Sequence, residues 1–496
     1  MQLQKLLKNL SYKKIVNEQE IDISSINYNS KKCEKNSIFV AIKGINVDGN
    51  IFVVDAISNG ATVIITENIP EKIHGFITYI TVENSRIALA ELSHCFYNFP
   101  AKKLKIIGVT GTNGKTTTTF LVKSILETAN KKVAIIGTTG IFINNKIIEA
   151  THTTPESLEL AKIFDEMVRE KIEFVVMEVS SHSLAMNRVY GIDFTVAAFT
   201  NLTHDHLDLH KTFEEYSRTK KLLFDGLSSN SIAIFNGDDK YFDYMKSDCE
   251  AKKIIISSKN NFNNNSFANY FINDIKIDKQ NSSFSLENKN GYNETVEKFD
   301  ISTVLTAFFN VQNAAFAIVI CLELGVSKDD ILAGISKSKG ASGRMETVTV
   351  STGATAYVDY AHTPDALEKA LIACKSLLTV GKLICVFGCG GDRDKTKRPL
   401  MGAIAKKYSD IVIVTDDNPR TENSQAIIDD ILEGIKDNLN TKIINSRSEA
   451  IKFAVSISTV SDIILVAGKG HENYQIIGKE KHYFSDVDEL KNFILL

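Results

Sequence analysis

The sequence lacks several features that mark whole classes of protein. Its 496 residues include no tryptophan and only six prolines, and lysine plus arginine (57) nearly balance aspartate plus glutamate (60), which leaves a net charge of −3. That balance gives no reason to expect nucleic acid or an acidic membrane surface as a partner. No apolar run approaches the ~20 residues of a membrane span, and no charged and then apolar leader opens the chain. We therefore expect a cytoplasmic protein that does not insert into membranes.

The seven cysteines give no sign of a disulfide framework or a zinc site. They are scattered and odd in number, and the close pair Cys385 and Cys389 has neither a second pair nor flanking histidines. We interpret them as reduced thiols, most of them in hydrophobic cores. We also expect a monomer whose partners are small-molecule substrates.

Apolar runs that alternate with helical patterns predict an α/β fold. One series begins near Lys105 and favours a mainly parallel sheet with helices on both faces, and a second series begins near residue 345 and favours a Rossmann-like domain of five or six strands. The predicted strands are 104–109, 133–138, 172–179, 195–200 and 231–235, then 355–359, 382–387, 411–415, 442–444 and 462–466.

The length suggests three domains at ~150 residues each. We predict an N-terminal domain at 1–100 with short β-like runs at 37–42 and 61–65, a central P-loop-type ATPase domain at 101–340, and the Rossmann-like domain at 341–496. The polar, Asn-rich stretch 258–297 is interpreted as an exposed hairpin region or long loops without chemistry.

The stretch 108–119, Gly-Val-Thr-Gly-Thr-Asn-Gly-Lys-Thr-Thr-Thr-Thr, reads as a strand end, a glycine loop and a helix start. Gly111 and Gly114 allow a tight turn whose N–H groups converge on an anion, while Lys115 adds a charge and the Thr116 hydroxyl can ligate Mg²⁺. Val109 stands where the usual phosphate loop has a glycine, so this loop is a variant. The alternative is a plain glycine-rich turn, which does not require the Gly-Lys-Thr sequence.

Four charged loops follow strands of the second series. In a parallel sheet they meet at one edge, where ligands bind. They are 359–362 (Asp-Tyr-Ala-His), 388–394 (Gly-Cys-Gly-Gly-Asp-Arg-Asp), 416–420 (Asp-Asp-Asn-Pro-Arg) and 468–472 (Gly-Lys-Gly-His-Glu). The alternative, solvated turns after buried strands, would explain one or two of them but not all four.

Potential metal ligands follow two strands of the central series. Glu178 ends one strand, and the segment 201–210 after the next contains three histidines and two aspartates. Mg²⁺ normally takes oxygen ligands, so a histidine ligand would be unusual. Alternatively, His204 or His210 caps a helix that starts near Phe213. From spacing alone, the lysine pair at 220–221 is a solvated helical face.

An ATP site beside a second, charged site suggests that a carboxylate is activated as an acyl phosphate and then attacked by an amine. Lysine and Mg²⁺ would offset the charge on the transferred phosphoryl group. This chemistry needs no protein nucleophile, and we find no Ser-His-Asp arrangement that would supply one.

Ten motifs in order along the chain resemble those of the Mur ligases of peptidoglycan synthesis, and the resemblance extends over essentially the whole sequence. They are 111–117, 177–182, 205–208, 216–220, 310–313, 343–346, 359–364, 390–399, 417–420 and 468–472. The resemblance implies an N-terminal domain for the UDP end of the substrate, a central ATPase, and a C-terminal domain that brings an amino acid. The implied reaction uses ATP to join this amino acid to the D-glutamate of UDP-N-acetylmuramoyl-L-alanyl-D-glutamate.

The same resemblance implies roles for individual residues. Lys115, Glu178, His206 and Lys220 are the expected catalytic residues, with Lys220 carbamylated and thus not a solvated lysine. Thr116, Glu178 and His206 are the expected magnesium ligands. The expected ATP contacts are Gly111, Thr112, Asn113, Gly114, Lys115, Thr116, Thr117, Asn310, Asn313, Arg344 and Asp359, the last on the ribose. The expected contacts to the UDP-muramoyl dipeptide are Ser30, Thr153, Thr154, Ser180 and Arg188.

The tetrapeptide 417–420 resembles the version that selects meso-diaminopimelate. Arg420 and Arg393 can each bind a carboxylate through two parallel hydrogen bonds, and Glu472 can accept the distal ammonium. The full expected set is Arg393, Asp417, Asn418, Pro419, Arg420, Gly468 and Glu472. With L-lysine as substrate, a buried arginine would stay unpaired at a cost on the order of several kcal/mol.

The sequence departs from the family pattern at Asn29, Lys31, Met186 and Ala307, where we would expect Asp, Arg, Gln and Gly. The first three bear on the UDP substrate, and none touches the phosphoryl-transfer residues. Three alternatives stay open: the same ligase reaction with L-lysine, folylpolyglutamate synthase or another Mur ligase, and a nucleotide-hydrolysing switch that forms no bond.

Overall fold

Three sheets follow one another along the chain in the computed structural model, which describes residues 1–44, 47–203, 210–259, 268–290, 294–436 and 439–492. The first sheet has the order β1-β5-β4-β3-β2 and is parallel except for the β1–β5 pair. Its strands are β1 Lys14–Val16, β2 Ile26–Asn27, β3 Ser37–Val40, β4 Ala61–Thr66 and β5 Thr78–Thr81. Helices α1 Leu3–Leu7, α2 Val53–Ser58 and α3 Ser85–Phe96 accompany it, with 3-10 turns at Ser30–Lys32, Gly49–Phe52 and Pro100–Lys103.

The central sheet has eleven strands within the described residues, in the order β16-β15-β14-β13-β12-β11-β6-β10-β7-β8-β9. They are β6 Lys105–Thr110, β7 Val133–Gly137, β8 Gly140–Ile143, β9 Lys146–Ile148, β10 Phe174–Glu178, β11 Phe194–Phe199, β12 Ile232–Asn236, β13 Lys252–Ser257, β14 Tyr270–Ile277, β15 Ser282–Asn290 and β16 Glu294–Thr303. The helices are α4 Lys115–Thr128, α5 Ser157–Arg169, α6 Ser181–Ala185, α7 Phe213–Asp225, α8 Phe242–Lys246, α9 Phe308–Glu323 and α10 Lys328–Lys337.

Strand β6 is buried on both faces, which explains its continuous apolar sequence. Ile106 packs into one hydrophobic cluster and Ile107 into the cluster on the opposite face. Strands β10 and β11 flank β6 in parallel register, so the carboxyl ends of all three strands lie at one edge of the sheet. The predicted mainly parallel sheet is therefore confirmed.

The stretch 258–297 differs from the expectation of an exposed region with long loops. Among its described residues, β14 and β15 form antiparallel pairs that continue into β16 and extend the central sheet. Phe284 and Leu286 alternate along β15 and pack with Phe299 in the core beneath α9 and α10. The Asn-rich composition of the exposed face hid this short apolar alternation. The expected hairpin is confirmed for β14 and β15, and residues 260–267 and 291–293 lie outside the described residues.

The third sheet has the order β17-β18-β22-β19-β20-β21, with every pair parallel except β17–β18. Its strands are β17 Glu346–Thr349, β18 Thr355–Asp359, β19 Leu383–Phe387, β20 Ile411–Val414, β21 Thr441–Ile443 and β22 Ile463–Ala467, and a separate hairpin pairs β23 Tyr474–Ile477 with β24 Glu480–Tyr483. The helices are α11 Pro364–Ser376, α12 Lys397–Tyr408, α13 Ser424–Leu432, α14 Arg447–Ser456 and α15 Asp486–Asn492. The four charged loops follow the neighbouring strands β18, β22, β19 and β20, as predicted.

All seven cysteines are buried free thiols, which agrees with their interpretation as reduced core residues. Among the described residues, no helix is both long and apolar enough to cross a membrane.

A fully buried ion pair supports the edge of the third sheet that carries the charged loops. Arg447 Nε and Nη2 donate to the two Asp486 carboxylate oxygens at 2.7 and 2.8 Å, and both side chains are 0% exposed. Arg447 Nη2 also donates to the carbonyl of Ala467 at 3.0 Å. The pair thus fixes the end of β22 from which the loop 468–472 departs.

We expect Arg447→Met to lower the free energy of unfolding by about 3–5 kcal/mol, because it leaves the Asp486 carboxylate buried and unpaired. Replacing both partners, Arg447→Met with Asp486→Leu, should recover most of that loss. Urea titration of the intact chain measures both, and Arg169→Met in the exposed pair with Asp165 is the control. A double variant as unstable as the single one would contradict this account.

Candidate functional site

The loop between β6 and α4 is tightly turned. Gly114 has a φ of +89°, which favours glycine, and a Cβ there would lie 2.4 Å from Asn313 Oδ1 on α9. Lys115 Nζ donates to the carbonyls of Gly111 and Thr112 at 2.9 and 3.0 Å, so the ammonium lies over the loop. The tight turn, the start of α4 and the Lys115 ammonium together form the arrangement that is typical of an anion-binding loop.

Oxygen-bearing side chains converge beside this loop at the end of β10. Thr116 Oγ1 donates to Glu178 Oε1 at 2.9 Å, and both residues are buried. Thr138 holds the same carboxylate through its backbone N–H at 3.0 Å and its hydroxyl at 3.1 Å. A carboxylate and a hydroxyl in contact form a donor set that suits Mg²⁺, which prefers oxygen and keeps several waters.

Lys220 lies beside the loop and lines the same cavity as Thr116 and Glu178. Its side chain is buried, its Nζ donates to the Gly111 carbonyl at 3.0 Å, and it lies 4.9 Å from the centre of the Tyr216 ring. Lys221 is also buried and donates to Asp225 and Asp248. The interpretation of this pair as a solvated helical face is therefore wrong, because the inward face of α7 carries both lysines.

The histidine cluster can be placed only in part, since 204–209, and with them His204 and His206, lie outside the described residues. His210 is buried, with its ring 5.9 Å from that of His182 and 5.3 Å from that of Tyr216. It does not cap α7: Thr212 does, by accepting from the Glu215 N–H at 3.1 Å.

Two contacts join the third sheet to the phosphate loop. Arg344 Nη2 lies 3.4 Å from Thr116 Oγ1, and its guanidinium lies over the Tyr360 ring. Asp365 at the start of α11 accepts from Asn113 Nδ2 at 3.0 Å and from Thr203 Oγ1 at 2.9 Å. The loop thus has one wall from the central unit and one from the C-terminal unit.

A cavity of about 390 Å³ lies between these walls. Its lining includes Thr112, Asn113, Gly114, Lys115, Thr116, Thr117, Asn313, Arg344 and Asp359 from the predicted ATP set, together with Glu178 and Lys220. Asn310 lies behind it and accepts from Asn313 Nδ2 at 3.1 Å. Burial raises the pKa of Asp359, while the Arg344 guanidinium acts in the opposite direction.

Four of the five residues predicted for the UDP substrate lie together. Thr153 and Ser180 line the cavity, and the Thr154 hydroxyl donates to the Glu178 carbonyl and accepts from the Ser180 N–H. Arg188 Nη1 donates to the Thr154 carbonyl at 3.1 Å. Ser30 is buried in the first unit, in the 3-10 turn Ser30–Lys32, and is not part of this cavity lining.

The loops 416–420 and 468–472 form a connected polar network. Asn418 Nδ2 donates to Glu472 Oε2 at 2.9 Å, and Asn418 Oδ1 accepts from Lys469 Nζ at 3.0 Å and from the Ile476 N–H at 2.9 Å. Asp417 lies against Gly468, whose Cβ would come 2.7 Å from Asp417 Oδ2. Within the described residues, no hydrogen-bond donor reaches that buried oxygen.

The two predicted carboxylate-binding arginines approach each other at the loop 388–394. A Cβ on Gly390 would lie 2.8 Å from Arg420 Nη1 and 3.8 Å from Arg393 Cγ. Arg420 Nη1 donates to the Gly391 carbonyl at 2.8 Å, and Pro419 holds the turn between them, its carbonyl 1.9 Å from a Cβ on Gly391. The structure therefore places Arg420 and the stem of Arg393 at Gly390, while the exposed Arg393 guanidinium donates to the Asp392 carbonyl.

Sequence reasoning missed four residues that hold this site. Three of them are Thr138, which holds Glu178, Asp365, which accepts from Asn113, and Lys469, which donates to Asn418. The fourth, buried Arg398, binds both Glu422 oxygens at 3.0 Å and donates to the Gly390 carbonyl, and its guanidinium lowers the pKa of Glu422 to about 2. Lys469 and Arg398 lie within the motifs 468–472 and 390–399, whereas Thr138 and Asp365 lie outside the ten motifs.

His471 connects the two parts of the site. Its ring lies 4.9 Å from that of Tyr360, and burial lowers its pKa to about 4, with the charge of Arg344 adding to the effect. Its backbone also packs on Gly343: a Cβ on Gly343, where φ is +65°, would come 2.0 Å from the His471 nitrogen. The loop with Glu472 therefore touches the segment with Arg344.

A phosphate-binding loop whose cavity is completed by Arg344 and the charged loop 359–362 of a second α/β unit defines the class of three-domain ligases that use a nucleotide. The description "Mur ligase middle domain" matches residues 109–321, "Mur ligase, glutamate ligase domain" matches 343–470, and "Mur ligase family, catalytic domain" matches 22–97. The chain belongs to the Mur ligase family.

Individual relatives are similar over their whole length. The UDP-N-acetylmuramoyl-L-alanyl-D-glutamate--2,6-diaminopimelate ligase of Clostridium tetani is 44% identical over 502 residues, which cover 100% of this chain and 99% of the relative. The corresponding ligase 1 of Clostridium acetobutylicum is 43% identical over 496 residues, with coverages of 100% and 99%. A solved structure of a UDP-N-acetylmuramoyl-L-alanyl-D-glutamate--2,6-diaminopimelate ligase is 32% identical, with a TM-score of 0.67 and 94% of each chain covered.

The structure shows local features at three of the four departures from the family pattern. Asn29 caps the 3-10 turn by accepting from the Lys31 N–H at 3.0 Å, and Met186 Sδ accepts from Arg188 Nη2 at 3.6 Å. Ala307, which precedes α9, has a φ of +80° and a ψ of 142° and is buried. That conformation suits glycine, which is the residue we expected there.

We expect Ala307→Gly to raise the free energy of unfolding by about 1–3 kcal/mol. Glycine adopts this positive φ without a steric clash, so the substitution relieves backbone strain. Ala314→Gly, inside α9, is the matched control and should be destabilising by roughly 1 kcal/mol. The measurement is the shift in the urea midpoint. A destabilising Ala307→Gly would show that the backbone there is not strained.

Proposed function

We propose that this chain is the ATP-dependent ligase that adds meso-diaminopimelate to UDP-N-acetylmuramoyl-L-alanyl-D-glutamate, the MurE reaction of peptidoglycan precursor synthesis. One observation carries the proposal: the segment 343–344 touches both the phosphate loop, through Arg344 and Thr116, and the loop of Glu472, through Gly343 and His471. The proposed ATP site and the proposed amino-acid site therefore meet at residues 343–344. The names of the full-length relatives support the same reaction.

The residues around the phosphate loop bind and orient ATP. Gly111 to Thr117 surround the phosphates, Lys115 offsets their charge, Asn310 and Asn313 lie on the nucleotide side with Arg344, and Asp359 accepts from the ribose. Thr116 and Glu178, in contact at 2.9 Å, would hold Mg²⁺ with His206 as the third expected ligand. When bound, the ion supplies positive charge that lowers the barrier to phosphoryl transfer.

The reaction then has two steps. A carboxylate oxygen of the D-glutamate attacks the γ-phosphorus of ATP in line, the bond to the bridging oxygen breaks, and acyl phosphate and ADP form. The amine of the amino acid attacks the acyl carbon, an amide bond forms, and phosphate leaves with the bonding pair while the amine loses a proton to solvent. Lys115 and Arg344 bring the positive charge near the transferred group.

We propose that Lys220 is carbamylated, so that its side chain becomes an anion beside the phosphate loop. Two observations support this: the buried Nζ lies 3.0 Å from the Gly111 carbonyl, and Lys220 lines the same cavity as Thr116 and Glu178. Protein exchanged into ¹³C-bicarbonate should give a carbamate carbon resonance that Lys220→Ala lacks. The same spectrum in both proteins would remove this assignment.

The UDP substrate is proposed to extend from the cavity toward the N-terminal domain, residues 1–100. Thr153, Thr154, Ser180 and Arg188 would contact the muramoyl dipeptide near Glu178, and Ser30 would lie near the uridine. We retain the predicted central and C-terminal domains, 101–340 and 341–496, as the ATP and amino-acid units. Cytoplasmic location and the monomeric state stay predictions.

The proposed binding set for meso-diaminopimelate is Arg393, Asp417, Asn418, Pro419, Arg420, Gly468 and Glu472. Arg420 and Arg393 flank Gly390 and would bind a carboxylate. Asp417 Oδ2, which no donor reaches among the described residues, and Glu472 would accept ammonium protons. L-lysine carries no distal carboxylate and would leave an arginine unpaired.

Release of phosphate from ATP tests the function. It should require both the UDP-muramoyl dipeptide and meso-diaminopimelate, with one amide product formed per phosphate. Equal release in the absence of either substrate would support a nucleotide-hydrolysing switch instead. Release that depends on L-lysine but not on meso-diaminopimelate would support the other amino-acid choice.

Arg420→Lys should raise the KM for meso-diaminopimelate by roughly 10- to 100-fold, because an ammonium cannot reproduce two parallel hydrogen bonds, each charged bond being worth about 1.5–3 kcal/mol. Both residues carry a Cβ, so the φ of +52° at this position does not distinguish them. Initial-rate kinetics with each substrate varied in turn gives the three KM values.

The KM for ATP should change little in this variant. Arg169→Lys, on the exposed side of α5, is the matched control for the same substitution at a remote site. An unchanged KM for meso-diaminopimelate in Arg420→Lys would exclude a carboxylate contact by Arg420.

A further inference from the structure

A completely buried lysine lies inside the proposed amino-acid site and has no role in the function described above. Lys469 is 0% exposed, and the next residues of its loop, Gly470 to Glu472, run back to the surface of the site. Burying an ammonium is costly unless other groups compensate for the lost water. The contacts of Lys469 therefore indicate what the charge is used for.

Those contacts are with side chains of the proposed amino-acid site. Lys469 Nζ donates to Asn418 Oδ1 at 3.0 Å and lies 3.4 Å from Glu472 Oε2. It also lies 5.7 Å from the centre of the Tyr474 ring. Burial lowers the pKa of Lys469, and the carboxylates of Asp417 and Glu472 act against that shift.

Two donors determine which way the Asn418 amide points. The ammonium of Lys469 and the N–H of Ile476 both donate to Oδ1, so Nδ2 is turned toward Glu472 Oε2, to which it donates at 2.9 Å. The reversed amide would place Nδ2 against two donors. Among the described residues, Asn418 and Lys469 both engage Glu472 Oε2, so Oε1 is the oxygen that we assign to an incoming ammonium.

We propose that Lys469 is a positioning residue that orients Asn418 and Glu472 for the distal end of the amino-acid substrate. This inference rests on the proposed function and deepens it, since Lys469 acts through the two side chains and not on the substrate itself. A positive charge there also balances Asp417 and Glu472.

The test measures substrate constants of Lys469→Met, which keeps the length of the side chain and removes its charge and its hydrogen bonds. We expect the KM for meso-diaminopimelate to rise at least 10-fold, with the KM for ATP and for the UDP-muramoyl dipeptide changed less than twofold. Lys452→Met is the control, because Lys452 forms an exposed pair with Glu449 at the same three-residue separation.

A double-variant comparison separates positioning from general support of the fold. If Lys469 acts through Asn418 and Glu472, the rise in KM caused by Lys469→Met should be smaller in an Asn418→Ala background than in the wild-type protein. Additive effects, or equal rises in all three KM values, would overturn the proposal. Lys469→Gln retains a donor without charge and should fall between the wild-type protein and Lys469→Met.

Turnover of the wild-type protein distinguishes a failure of the proposed function from a failure of the role proposed for Lys469. If the wild-type protein shows no turnover that depends on meso-diaminopimelate, the function falls and this inference falls with it. If the wild-type protein turns over meso-diaminopimelate and Lys469→Met does so with the same KM, only the inference is overturned. If neither Lys469→Met nor Lys469→Gln folds, Lys469 serves the fold of the C-terminal domain, which also overturns it.

Discussion

The close packing of Gly343 against Gly470 and His471 is the contact on which the arrangement of the site depends. A Cβ on Gly343 would lie 2.1 Å from the Gly470 carbonyl carbon, and one on Gly470 would lie 2.7 Å from the Gly343 carbonyl oxygen. Both glycines have positive φ, so side chains are disfavoured there by sterics and by backbone conformation. Because the two backbones are in such close contact, this packing fixes the position of the segment 343–344 relative to the loop 468–472.

This contact joins two sites that use opposite kinds of charge. On the nucleotide side, Lys115 and Arg344 bring cations to the place where phosphate oxygens would carry negative charge. On the proposed amino-acid side, the arginines would bind carboxylates of the substrate, and Asp417 and Glu472 would accept protons from its ammonium groups. The buried groups that hold these loops are themselves paired: Arg447 with Asp486, and Arg398 with Glu422. Because each of these buried charges has a partner of opposite sign, the loops are held at a smaller desolvation cost than unpaired charges would require.

Much of this arrangement could be predicted from local patterns. The segment from Gly111 to Lys115, the strands that bracket it and the four charged loops all have sequence signals, and their strand boundaries agree with the structure within two residues. The errors have physical causes. Lys220 and Lys221 looked solvated because helical spacing does not reveal which face packs inward, and the alternation at Phe284 was too short to outweigh its Asn-rich surroundings. Thr138, Asp365 and Arg398 act through contacts with residues distant along the chain, which spacing cannot show. Because His206 lies within 204–209, outside the described residues, its assignment as a metal ligand stays a prediction.

In our proposal, the nucleotide site and the charged amino-acid site act together as one ligase, and the loop of Arg420 determines its preference for meso-diaminopimelate over L-lysine. The most direct test is amide formation by the intact protein with meso-diaminopimelate and with L-lysine, each at saturating ATP and UDP-muramoyl dipeptide, and the comparison of kcat/KM for the two amino acids. The account predicts at least a 100-fold preference for meso-diaminopimelate, which corresponds to about 2.7 kcal/mol. Equal use of the two amino acids, or a preference for L-lysine, would contradict it.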